Sequence, residues 1–119
     1  MIVKYVRERG YQGIGKDPNF TLGKDYLVFG ILFRIENKPA MVSIERDSDL
    51  TPVLLELQYC DIIDSRIPDG WTIENYSDYG CSVRPQEFGE NFWDLYHDAD
   101  PSAEAIYAQV KQKLQDFHD

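Results

Sequence analysis

Apolar and polar positions along the first two thirds of the chain recur with the two-residue period of strands. Ile2, Val3, Tyr5 and Val6 around Lys4 predict a first strand over Met1 to Arg7, and Arg9 to Asn19, with three glycines and Pro18, reads as a loop. A turn at Leu22-Gly23-Lys24 precedes Tyr26 to Ile35, a long strand in which Gly30 marks a bulge or bend. Asn37-Lys38-Pro39 turns the chain into Ala40–Glu45, where Val42 and Ile44 alternate with Met41, Ser43 and Glu45, so the two runs predict a hairpin. Val53 to Tyr59 alternates again, and Cys60 to Ile67 continues extended. Pro68-Asp69-Gly70 is a turn, followed by short strands at Trp71–Ile73 and Tyr79–Val83.

The period then changes. Phe92, Trp93, Leu95 and Tyr96 predict a helical turn over Asn91–His97. Asp100-Pro101 is a helix start, with Asp as N-cap and Pro at the first helical position. Ala103, Ile106, Tyr107, Val110, Leu114 and Phe117 follow at three- and four-residue spacing, one apolar face of a helix of about four turns. That face needs a sheet to cover it. The expected fold class is α+β: a curved antiparallel sheet or small β-barrel with a packed C-terminal helix, in a single domain over residues 1–119.

Charge changes the picture more than composition does. Residues 1–60 hold eight acidic and eight basic side chains, whereas residues 61–119 hold thirteen acidic and four basic and carry the whole net charge of −9. Between Arg84 and Lys111 there is no Lys or Arg, but there are Glu87, Glu90, Asp94, Asp98, Asp100 and Glu104. Such a face repels nucleic acid, whose phosphates need Lys and Arg to displace counterions. It attracts a basic protein and speeds encounter with it. An acidic surface also simply aids solubility. The N-terminal stretch has no apolar core of the signal-peptide kind, and the longest apolar run, Tyr26–Phe33, is far short of the roughly 20 residues that span a membrane. The expected location is cytoplasmic, with Cys60 and Cys81 reduced.

Catalytic chemistry finds little to stand on. Gly10-Tyr11-Gln12-Gly13-Ile14-Gly15 lacks the dinucleotide fingerprint spacing and opens no apolar helix. Only His97 and His118 could serve as imidazole bases, and His118 sits beside the last residue, where chain ends fray. Neither cysteine has local marks of an activated thiol, and burial as a small hydrophobe is the commoner role. Asp94, His97, Asp98 and Asp100 match no metal-ligand spacing. The expectation is therefore no enzyme, no cofactor and no metal site. A carboxylate-based hydrolase with Trp71 and Trp93 as sugar platforms is the alternative from another class, and two facing carboxylates in a deep pocket would mark it.

Aromatic residues interleaved with acids point to protein binding. Interfaces favour Trp and Tyr anchors, and the candidate partner-binding set is Asp69, Trp71, Glu87, Glu90, Trp93, Asp94, Asp98 and Asp100. Taken singly, Phe92, Trp93 and Tyr96 fit a core better than a surface.

Two stretches together resemble small bacterial immunity proteins of contact-dependent growth inhibition and polymorphic toxin systems. Leu22-Gly23-Lys24-Asp25-Tyr26-Leu27-Val28-Phe29-Gly30-Ile31 is similar to their opening strand. Asp61-Ile62-Ile63-Asp64-Ser65-Arg66-Ile67-Pro68-Asp69-Gly70-Trp71 is similar to a later segment with an apolar pair, an acid, an arginine and a Pro-x-x-Trp turn. The resemblance implies a protein that binds the catalytic domain of a cognate toxin and blocks it. If that toxin is a nuclease it is basic, and an acidic inhibitor mimics its phosphate substrate. No contact residue carries over, because these interfaces differ with each partner. A non-toxin adaptor would have the same sequence features.

Overall fold

A computed structural model describes residues 1–89 and 91–119. Its described residues form eight strands, β1 (Ile2–Tyr5), β2 (Asp25–Leu27), β3 (Gly30–Arg34), β4 (Met41–Glu45), β5 (Pro52–Glu56), β6 (Cys60–Asp64), β7 (Trp71–Asn75) and β8 (Gly80–Pro85). Two helices follow, α1 (Phe92–His97) and α2 (Pro101–Phe117). The strands make two antiparallel sheets, ordered β2-β1-β6 and β5-β4-β3-β8-β7, and do not close into a barrel. The fold is α+β, as the change of period predicts.

The expected long strand from Tyr26 to Ile35 is two strands in different sheets. Val28 N–H still bonds Met1 O (3.1 Å) beside β1, whereas Phe29 N–H already bonds Ser43 O (2.8 Å) on β4. Consecutive buried side chains explain the switch: Val28 enters the core between the sheets and Phe29 enters a second core under the helices. The next long strand breaks in the same way. After β5, Leu57–Tyr59 makes a tight 3-10 turn; Leu57 N–H bonds Ala40 O (2.8 Å), and Tyr59 O then accepts from Val6 and Arg7 (3.0 and 3.1 Å). The two strand switches hinge the sheets at their corners, as bent strands do in orthogonal packings.

The first core gathers Val3, Tyr5, Phe20, Tyr26, Val28, Ile31, Val42, Ile44 and Leu55 between the sheets. The second packs Ala103, Tyr107, Val110 and Leu114 of α2 against Phe29, Phe88 and Phe92. Helix α2 begins as expected: Asp100 accepts from Ala103 N–H (3.0 Å), and Pro101 occupies the first turn. Its end departs from expectation. His118 does not fray: its side chain is 4% exposed, with Nδ1 3.0 Å from Asp64 and Nε2 3.0 Å from the Met1 amino group. A polar partner on each side of the ring, plus Phe117 against Arg66 (5.2 Å), ties the helix end to β6.

Burial raises the hydroxyls of three tyrosines, Tyr26, Tyr96 and Tyr107, and so makes the fold sensitive to alkali. Burial pushes the Tyr26 hydroxyl up to about 12. Burial, then the hydrogen bond to Glu45, pushes that of Tyr107 far above its ordinary value. A tyrosine raised in the folded state keeps its proton where the unfolded chain has lost it. That stability is complete below about pH 10 and drains as pH rises beyond it. The urea midpoint should therefore fall between pH 9 and pH 11, and less steeply in Tyr107→Phe. Parallel slopes for the two proteins would remove Tyr107 from this account.

Candidate functional site

Helix α1 is short, and its composition sorts its faces. Phe92 and Tyr96 are four residues apart and stack at 6.1 Å; Trp93 and His97 do the same at 6.1 Å on the neighbouring stripe. Phe88, in the 3-10 turn before the helix, lies 4.7 Å from Phe92 and 5.0 Å from Trp93. Tyr107 of α2 lies beneath, 5.0 Å from Tyr96 and 5.9 Å from Phe88, and stacks on Phe29 of the sheet at 5.2 Å. Phe92 is buried, and Trp93 and Tyr96 are half-buried, so these aromatics are the underside of the helix. Asp94 and Asp98, also four apart, are exposed on its outer side.

The eight expected site residues divide accordingly. Asp94 and Asp98 stand free in solvent, and Asp69 is exposed in the turn leading to β7. Glu87 is half-exposed and pairs with Lys113 (3.3 Å). Asp100 is occupied by the α2 cap. Trp71 is half-buried and shared by both cores, and Trp93 belongs to the helical core, so both rings do packing work first. Glu90 lies outside the described residues.

Beneath α1 is a site the sequence does not announce. A half-open cavity of about 380 Å³ lies on the outer face of the five-stranded sheet, lined by Leu32, Ser43, Leu54 and Ser82 and bordered by Trp93 and His97. Arg84 and Glu74, both in its lining, form an ion pair in which the Arg84 side chain is mostly buried and that of Glu74 is about one third exposed. The Tyr76 hydroxyl donates to Glu74 (3.2 Å) and shares a hydrogen bond with the buried Ser82 (3.0 Å). The Arg84 Nε is buried with no partner among the described residues. Hydrogen bonding to Arg84 holds the Glu74 carboxyl below its ordinary range, which makes it a poor proton donor at neutral pH. These groups come from β3, β4, β5, β7 and β8. The only local signal was the alternation that puts Ser82 and Arg84 on one face of β8.

Among the described residues lining this cavity Glu74 is the one carboxylate, whereas a glycosidase site uses two facing carboxylates. Cys60 is buried, and burial pushes its thiol up to about 11, away from thiolate chemistry. Among the described residues, no three His, Cys, Asp or Glu side chains gather as a metal site, and no helix is long and apolar enough to cross a membrane. No protein-family model, curated protein or solved structure matches the chain.

Proposed function

We propose that this is a binding protein of the immunity type, which neutralises a basic toxin domain, with a nuclease as the toxin that fits best. The observation that carries the proposal is the outer side of α1. Asp94 and Asp98 are solvent-exposed over a packed aromatic base, Glu104 is exposed one turn into α2, and Glu87, paired with Lys113, lies in the turn before α1. No cation interrupts the segment from Pro85 to Val110. An acidic face fixed on a packed scaffold loses little entropy on binding and steers a basic partner at long range. The resemblance of Leu22–Ile31 and Asp61–Trp71 to immunity proteins supplies the toxin as partner and a cytoplasmic site of action.

The test has two steps: the neighbouring genes are inspected for a large secreted protein with a variable C-terminal domain, whose absence would count against the toxin reading, and that domain is then titrated calorimetrically with this protein. Raising salt from 50 to 300 mM should weaken binding at least 10-fold. Charge reversal at Asp94, Asp98 and Glu87 together should weaken it at least 100-fold, since like charges brought together cost several kcal/mol. Binding by the triple variant at the wild-type Kd would place the interface elsewhere.

A further inference from the structure

β7 is an outer strand of the five-stranded sheet and, among the described residues, pairs on one side only, with β8. The register runs from Trp71↔Pro85 to Asn75↔Cys81 without a shift. Bonds at the two ends fix which residues face the partner: Gln86 N–H bonds Gly70 O (3.0 Å), and Tyr76 N–H bonds Gly80 O (2.8 Å). Hydrogen-bonded and non-bonded pairs alternate along an antiparallel ladder. The even-numbered residues from 70 to 76 therefore face β8, and the N–H and C=O groups of Trp71, Ile73 and Asn75 point outward. Among the described residues these groups have no partner beyond the ladder.

Proteins usually blunt such an edge with Pro, Lys or a bulge. β7 has none of these, and Ile73 is 72% exposed at its centre. Beside the strand runs an open groove of about 720 Å³, walled by Thr72 to Asn75 on one side and by Phe92, Leu95 and Ile106 on the other. Glu74 and Glu87 line it but are paired with Arg84 and Lys113, so the negative charge left to attract a basic segment is that of the exposed Asp94 and Asp98 on α1, the helix whose Leu95 walls the groove.

We propose that the free edge of β7 receives an extended, basic segment of the partner protein, which joins the sheet as an added strand. The proposal rests on the acidic binding face described above and names how the partner docks there. Side chains of a strand alternate between faces. On the Ile73 face of the sheet the added strand would place apolar residues, and on the Glu74 face Lys or Arg. Backbone bonds supply affinity, and this alternation supplies selectivity.

A ten-residue peptide alternating Lys and Val is the probe, with an alternating Glu and Val peptide as its counterpart. Amide hydrogen exchange is read by NMR on the wild-type protein. The Lys/Val peptide should slow exchange at Trp71, Ile73 and Asn75 at least 10-fold, and the Glu/Val peptide should not. Ile73→Pro removes an outward N–H and no ladder bond, so it should keep the fold and weaken the Lys/Val peptide at least 10-fold. Ile73→Thr keeps the N–H and should bind within about threefold of wild type. Absent protection at these three amides, equal protection by both peptides, or β7 edges already paired in a dimer of this chain would overturn strand addition. Loss of toxin binding on charge reversal, with no protection by the Lys/Val peptide, would leave the acidic face standing and remove only the docking mode. Strand addition with unaltered toxin binding by the charge-reversed protein would do the opposite.

Discussion

Truncating Tyr107 to alanine should cost about 3–5 kcal/mol, the range for large buried aromatics. Tyr107 is the point where three elements meet. Its ring stacks on Phe29 of the sheet and lies against Phe88 and Tyr96, so its removal opens a void between α2, α1 and β3. Its hydroxyl donates to Glu45 Oε2 (2.8 Å), while Lys111 holds the other carboxylate oxygen (3.0 Å). Tyr107→Phe keeps the ring and leaves Glu45 one partner, so it should cost about 1.5 kcal/mol, as for a hydrogen bond to a charged group. Urea unfolding at pH 7 separates the two. The consequence extends to function, because α1 has little hold on the protein except this aromatic stack. Tyr107→Ala should weaken partner binding along with stability, and Tyr107→Phe should leave binding intact. A cost below about 1 kcal/mol for the alanine variant would mean that the helices close over the gap.

The C-terminal helix was legible because local rules and tertiary demand agree there. Asp100-Pro101 caps a segment whose apolar spacing matches the face that is buried. The strand switches were not legible. Val28 and Phe29 are adjacent and both fully buried, a pattern that reads as one strand between two covers. Periodicity reports that a side chain is buried, not which of two cores receives it. Gly30, where the sequence suggests a bulge or bend, is instead the first residue of β3 in unshifted register with Ser43, and the break lies between Val28 and Phe29. The acidic side of α1 was visible as a run of charge, because exposure of Asp94 and Asp98 follows from their spacing against the aromatics. The cavity was invisible for the opposite reason. Glu74, Tyr76, Ser82 and Arg84 meet only through strand register, and no single segment shows the pairing. His118 reads as a fraying end, yet nearness to a chain end says nothing about a partner as distant in sequence as Asp64.

Gly80→Ala should be the most damaging of the glycine-to-alanine changes, with an expected loss of at least about 3 kcal/mol, a size that only a few structural mechanisms produce. Gly80 has φ of +134°, where L side chains are strained. An added Cβ would also lie 2.0 Å from Phe33 O and 3.1 Å from the Arg34 Cα. Both obstacles are backbone of β3, Arg34 directly opposite Gly80 in the register and Phe33 its neighbour, so no rotamer change relieves them. The pair of strands must part at this end instead. Gly80 O also accepts from Tyr76 N–H at the close of the β7–β8 turn, so the strain reaches the free edge of β7 and the Tyr76–Ser82 hydrogen bond. Gly23→Ala is the matched control. It too has positive φ, at +81°, but a Cβ there meets nothing within 4 Å. Its cost is backbone preference alone, about 1 kcal/mol. Thermal unfolding of the two variants, side by side, isolates the steric part. Similar midpoints would show that the end of β3 moves aside freely, and that the register at Arg34 does not hold the β7–β8 hairpin in place.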